Sequence, residues 1–103
     1  MREIEVSVIT RTIKDMCIKA NRFLPCDLAE RISQAVNEET DELPKSIMCD
    51  IRENLDCAKE LGVPICQDTG MAVIFVEVGQ DVHFEGMAIE DAVNEGVRQG
   101  YIE

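Results

Sequence analysis

The sequence predicts an α+β fold with a helical N-terminal half of three helices, one strong strand, a short extended piece and a C-terminal helix. Over the first sixty or so residues, apolar side chains recur at three- and four-residue steps, the spacing of amphipathic helices. From Met71 to Val78 the chain becomes a run of mainly β-favouring residues that ends at Gly79. After Gly86 the helical spacing returns. The change of period indicates that both kinds of element are present.

Two helices are predicted before residue 40. The first spans about Glu3 to Leu24, and its apolar stripe includes Cys17. Pro25 interrupts that pattern. Asp27, followed three residues later by Glu30, resembles a capping box that opens the second helix. The N-terminal region is therefore expected to be helical from its third residue.

Proline and glycine mark the ends of the third helix and of the β region. Pro44 suits the first turn of a helix, and Gly62 suits its C-terminal cap. Met71 to Val78 is the expected strand, and a turn leads from it to the shorter extended piece Val82 to Phe84. Gly86 then precedes the last helix. Because one strand cannot satisfy its own edges, its partner strands are expected from outside this segment or from a second chain.

Composition restricts the class of protein. A chain of 103 residues forms one domain at most, and 46% hydrophobic with 30% charged residues is ordinary for a globular protein. A net charge of −11 disfavours nucleic acids and anionic membranes as partners, and no apolar run is long enough to span a bilayer. Acidic residues near the start disfavour a signal peptide, so a cytoplasmic location is expected. The five cysteines contain no Cys-x-x-Cys pair, which indicates reduced thiols.

One short segment concentrates the candidate chemistry. Cys66, Gln67, Asp68, Thr69 and Gly70 bring together a soft metal ligand, an amide, a carboxylate, a hydroxyl and a glycine. The segment lies on a predicted connection between a helix and a strand, where rigid neighbours can orient active groups. A given pentapeptide of this kind arises by chance on the order of once in ten million positions. The segment is therefore a specific signal, unlike an isolated cysteine.

This segment and its surroundings resemble a known enzyme family. Pro64 to Gly70, followed by the run that ends at Gly79, is similar to the N-terminal signature of class I fumarate hydratases and of the L-tartrate dehydratase alpha subunit. Glu53 to Ala58 resembles the family's preceding helix, and Ala92 to Tyr101 resembles the following one. The resemblance covers residues from about Ile47 onward. Before that point only a general pattern of helices is shared.

The resemblance implies a 4Fe-4S hydro-lyase acting on a four-carbon dicarboxylic acid, such as fumarate, malate or tartrate. Three cysteines hold the cluster in this family, and Cys66 matches the first of them. Gln67 matches an amide that contacts the substrate. Asp68 matches a carboxylate beside the reacting centre, which makes it both the catalytic and the second substrate-binding candidate. Thr69 and Gly70 are supporting loop residues, for a backbone turn and close approach to the cluster.

Much of the family's active site has no counterpart in this sequence. The two other cluster cysteines, the acid–base residues and the cationic clamps for carboxylates lie beyond the matched region. His83 matches no functional position and is expected to face outward from its strand. The remaining cysteines, which are not expected to be ligands, are Cys17, Cys26, Cys49 and Cys57.

These gaps imply that residues 1–103 are a single segment, the N-terminal part of an iron–sulfur hydro-lyase alpha domain. Its partners would be the remainder of the alpha chain and a beta subunit or domain, in an oligomer. The isolated chain is expected to be inactive. Two alternatives stay open at this point: a small non-catalytic interaction or regulatory module derived from the same scaffold, and a thiol-based redox protein that uses Cys66.

Overall fold

A computed structural model describes residues 1–67 and 70–102 of the chain. Within these residues, two short strands and four helices follow one another, which confirms the predicted α+β class. No helix in the described part is long and apolar enough to cross a membrane. The elements are β1 (Arg2–Glu5), α1 (Val6–Arg22), α2 (Cys26–Glu38), α3 (Glu42–Leu61), β2 (Val82–Glu85) and α4 (Ile89–Ile102).

The chain divides into two compact units. The terminal unit combines Met1–Lys19 with Thr69–Glu103, and the central unit is Ala20–Asp68. Helix α1 runs from the first into the second, so its last turn belongs to the central unit. Each unit has its own small set of buried residues.

The terminal unit is built on a parallel pair of strands and two helices. Strands β1 and β2 pair with Ile4 opposite Phe84, both half-buried, while His83 is exposed as predicted. Val6, Ile13 and Ala92 are buried. Thr10 Oγ1 on α1 donates a hydrogen bond of 2.9 Å to the Ala92 carbonyl on α4. Apolar burial and this bond together hold α1 against α4.

In the central unit, buried positions on α2 and α3 are occupied by small or branched side chains. Val36 and Ala58 are each only 3% exposed. Helix α3 begins as predicted, with Pro44 in its first turn, and is followed by Gly62 at φ 65° and ψ 38°. Glycine adopts that left-handed conformation readily because glycine has no Cβ atom. The predicted limits of the third helix are therefore confirmed.

The strands are not where the sequence placed the strongest β signal. Residues 71–79 form no strand, and Phe75 within them is 94% exposed. A strand needs a neighbouring strand to bond its backbone N–H and C=O groups. The described residues provide no such neighbour for residues 71–79. Strand β1 forms where we expected the first turn of a helix. Its hydrogen-bonded partner, β2, is about eighty residues away in sequence and could not be inferred from local periodicity.

The second helix also starts differently from the prediction. Pro25 is its N-cap residue, no side chain caps it, and Asp27 already lies in its first turn. The Asp27 carboxylate accepts a bond from the adjacent Leu28 N–H, 2.9 Å away. The prediction of a capping box is therefore wrong, because the helix begins at Cys26, one residue before the aspartate that was expected to cap it.

Candidate functional site

The loop that carries Cys66 leaves α3 through a compact helix end. The Ala58 carbonyl accepts hydrogen bonds from the N–H groups of both Gly62 and Val63, the latter at 3.1 Å. These contacts satisfy a carbonyl that has no partner within the helix. Pro64 follows, and its ring restricts φ. The chain direction after α3 is thus set by Gly62 and Pro64 together.

Ile65, the residue directly before Cys66, is anchored at both of its backbone polar groups. Its N–H donates to the Asn21 carbonyl at 2.7 Å, and its carbonyl accepts from Asn54 Nδ2 at 2.9 Å. Asn21 lies in the last turn of α1, where backbone carbonyls need partners outside the helix. Asn54 lies in the interior of α3. The backbone immediately before the thiol is therefore tied to the last turn of α1 and to α3, at residues that both lie in the central unit.

Cys66 and Gln67 follow this anchor, and both are exposed. Asp68 and Thr69 lie outside the described residues. Gly70 has φ 71°, a left-handed conformation that favours glycine, and a Cβ added there would meet no atom within 4 Å. Its glycine requirement is thus conformational. Cys66 and Gln67 belong to the central unit, and Gly70 belongs to the terminal unit.

The described residues provide an incomplete set of metal ligands. Across residues 1–67 and 70–102, no three His, Cys, Asp or Glu side chains come close enough together to hold a metal ion. Cys17 is half-buried, and burial raises the pKa of its thiol, which disfavours the thiolate that a metal requires. Cys66 is exposed on an anchored loop, which is compatible with one ligand position. A cluster would therefore need its other ligands from elsewhere.

Sequence reasoning identified the Cys66 loop but missed the residues that hold it. Asn54 lies in Glu53 to Ala58, the segment that resembles a helix of the family, and Asn21 lies within the first predicted helix without being a candidate residue. Asparagine is less favourable than alanine in a helix interior, because its side chain competes with the helix for hydrogen bonds to nearby backbone groups. An asparagine within α3, eleven residues before Ile65, was a possible signal for a side chain that bonds to the loop.

A comparison with protein-family models finds one family that matches most of the chain. The family model described as "Fumarate hydratase (Fumerase)" matches residues 10–103, which includes α1, the Cys66 loop and α4. The chain belongs to this fumarate hydratase family. The match begins at residue 10, whereas the resemblance described in the sequence analysis began only at about Ile47. No solved structure matches the chain.

Similar curated proteins are alpha subunits of one enzyme type. A protein of Methanocaldococcus jannaschii, provisionally named L(+)-tartrate dehydratase subunit alpha, is 32% identical over 92 residues, covering 88% of this chain and 32% of its own length. The L(+)-tartrate dehydratase subunit alpha of Escherichia coli K12 is 30% identical over 74 residues, covering 72% of this chain and 24% of its own. This family member therefore spans about a quarter to a third of the length of these relatives.

Proposed function

We propose that the chain supplies part of the active centre of a hydro-lyase that adds water to, or removes it from, a four-carbon dicarboxylate such as fumarate, malate or tartrate. The observation that carries this proposal is the Cys66 motif on an anchored loop, within a chain that matches the fumarate hydratase family over residues 10–103. The similarity to tartrate dehydratase alpha subunits supports the same reaction class.

Cys66 is proposed to hold one iron corner of a 4Fe-4S cluster, as thiolates do in most such proteins. When bound, the cluster would supply an open iron acting as a Lewis acid on the substrate's hydroxyl and carboxylate. Gln67 would donate its amide to the substrate. Asp68 would place a carboxylate beside the reacting carbon, and Thr69 and Gly70 would shape the loop. These roles are carried over from the family motif.

The charge of the chain supports the proposal that other polypeptide completes the site. A dicarboxylate needs cationic groups to offset its charge, and this chain has 10 Lys and Arg against 21 Asp and Glu. Remaining cluster ligands and cationic clamps would come from the rest of an alpha chain, with a beta subunit or domain as a further partner. We therefore propose that the chain is inactive by itself and acts within an oligomer, in the reducing environment of the cytoplasm.

Substitution of the proposed ligand tests this function. The complete alpha–beta assembly containing this chain should develop cluster absorption in the visible region after anaerobic treatment with iron and sulfide. Cys66→Ser should abolish most of that absorption and lower fumarate or tartrate turnover by at least about a hundredfold. Cys57→Ser is the matched control, because Cys57 is also exposed. Retention of cluster and activity by the Cys66 variant would contradict the proposal.

A non-catalytic interaction or regulatory module derived from the same scaffold is the competing proposal. It predicts that the chain forms a stable fold, takes up no iron in any assembly, and shows no change in melting temperature with malate or tartrate. Stoichiometric iron–sulfur uptake that depends on Cys66 would rule it out. The thiol redox alternative predicts fast, selective alkylation of Cys66 over the exposed Cys26 and Cys57.

A further inference from the structure

We propose that Asn54 is a positioning residue for the Cys66 loop. Its effect on the loop is independent of the proposed function, whereas its effect on a bound cluster rests on that function. Its Nδ2 donates to the Ile65 carbonyl over 2.9 Å, which places the amide one residue from the candidate ligand. The other backbone polar group of Ile65 is bonded to the Asn21 carbonyl at 2.7 Å. Opening of the loop must therefore break two hydrogen bonds to two different helices.

The anchor lies on a connection that is neither helix nor strand. Between Gly62 and Cys66 the chain is neither helix nor strand, and Pro64 has no N–H to donate. Ile65 is half-buried, whereas Cys66 and Gln67 are exposed and gain little from burial. The two bonds to Ile65 thus restrain the backbone one residue before the thiol. A metal ligand needs such restraint, because a rigid supporting shell lowers the cost of organising the site.

Helix propensity separates this role from a contribution to the helix itself. Asparagine in the interior of α3 is less favourable than alanine, so Asn54→Ala should leave the helix as stable as before or slightly more so. The same substitution removes the donor to Ile65. A positioning role therefore predicts that the substitution loosens the loop while the helix keeps or gains stability. A general structural role predicts that both the loop and the helix are destabilised.

Amide hydrogen exchange on the purified chain tests the anchor without any cluster. Asn54→Ala should accelerate exchange of the amides of residues 65–67 roughly three- to fivefold, as expected from loss of one exposed hydrogen bond, without accelerating exchange in α2 or α3. Asn54→Asp has nearly the same shape but no donor at neutral pH, so it should have the same effect. Asn37→Ala, which replaces an exposed asparagine on α2, is the control and should change nothing in the loop.

Two results would overturn the anchor. Exchange at residues 65–67 could be unchanged in both Asn54 variants, or it could rise equally throughout the unit Ala20–Asp68, which would indicate general destabilisation. If Asn54→Asp behaved like the natural chain while Asn54→Ala did not, side-chain packing rather than the hydrogen bond would be responsible, and the proposal would also be wrong.

The consequence for the cluster is measured separately. In the complete assembly reconstituted with iron and sulfide, Asn54→Ala should make the visible cluster absorption decay several times faster in air, and Asn37→Ala should not. An unchanged decay rate would contradict the positioning role even if the anchor exists. Conversely, if Cys66→Ser retained its cluster, the proposed function would fail while the exchange result for Asn54 could still stand. The two failures are therefore distinguishable.

Discussion

The carboxylate of Glu95 lies between two side-chain donors on α4. Arg98 Nε and Nη2 donate to it at 2.8 Å and 2.6 Å, and Gln99 Nε2 donates at 2.9 Å. These hydrogen bonds, those of Arg98 first, lower the pKa of Glu95 from 4.5 to about 2, and the same pairing raises the pKa of Arg98. Such bonds favour the charged form of the acid.

This pKa shift predicts a specific acid dependence of stability. Because the folded pKa is depressed, the Glu95 contribution is complete above pH 4.5 and is lost as pH falls from there to about 2. NMR titration of the side-chain carboxyl should give an apparent pKa near 2, and Arg98→Met should move it back toward 4.5. High salt should weaken the effect, since the ion pair is partly exposed. Titration near pH 4.5 in the natural chain would contradict the assignment.

At the scale of helices, the close approach of α4 to α1 depends on two glycines. A Cβ built at Gly96 would lie 2.6 Å from the Thr10 carbonyl oxygen and 2.7 Å from Ile13 Cβ. One at Gly100 would lie 2.8 Å from Cys17 Cβ. Separations this short cannot be accommodated unless the backbone or the neighbouring side chain moves. The glycines therefore set the distance between the helices.

Gly96→Ala should consequently destabilise the chain although alanine is the better helix former. Overpacking of a tight contact costs about 1 to 3 kcal/mol, which outweighs a propensity gain of about 1 kcal/mol. Urea unfolding followed by circular dichroism should show a lower midpoint. Gly79→Ala is the control, because its Cβ would meet only Val82 Cγ2, at 3.7 Å. An increase in stability of the Gly96 variant would show that the helices can separate at little cost.

Local sequence signals predicted elements whose determinants are local. Pro44 and Gly62 marked the limits of α3 because they act on their own backbone dihedrals. Strand β1 was missed because it is only four residues long with a single apolar residue, Ile4, and its partner is distant in sequence. The same limit applies to the candidate site. The Cys66 motif was visible in the sequence, whereas the Asn54 bond to Ile65 required the three-dimensional path of the chain.

For the molecule as a whole, the run from residue 71 to 79 is the main feature that the described structure leaves without a partner element. Met71 is 85% exposed and Phe75 94%, although the run is rich in residues that favour strands. The sheet that the described residues form has two strands, and sheets of that size are marginal by themselves. Relatives are three to four times the length of their matched segments, so they contain further polypeptide that could cover such a surface.

We therefore expect residues 71–78 to pair with a strand from the rest of an alpha subunit. In the isolated chain their amides should exchange with solvent almost without protection, and in the complete assembly exchange should slow by on the order of a hundredfold, as for paired strands.

Phe75→Asp should leave the melting temperature of the isolated chain within about 2 °C but prevent assembly, because the aspartate would be buried only in the complex. Leu43→Asp, at a 71% exposed position in the first turn of α3, is the control and should assemble normally. Strong amide protection in the isolated monomer, or normal assembly of the Phe75 variant, would show that this run is not the docking strand.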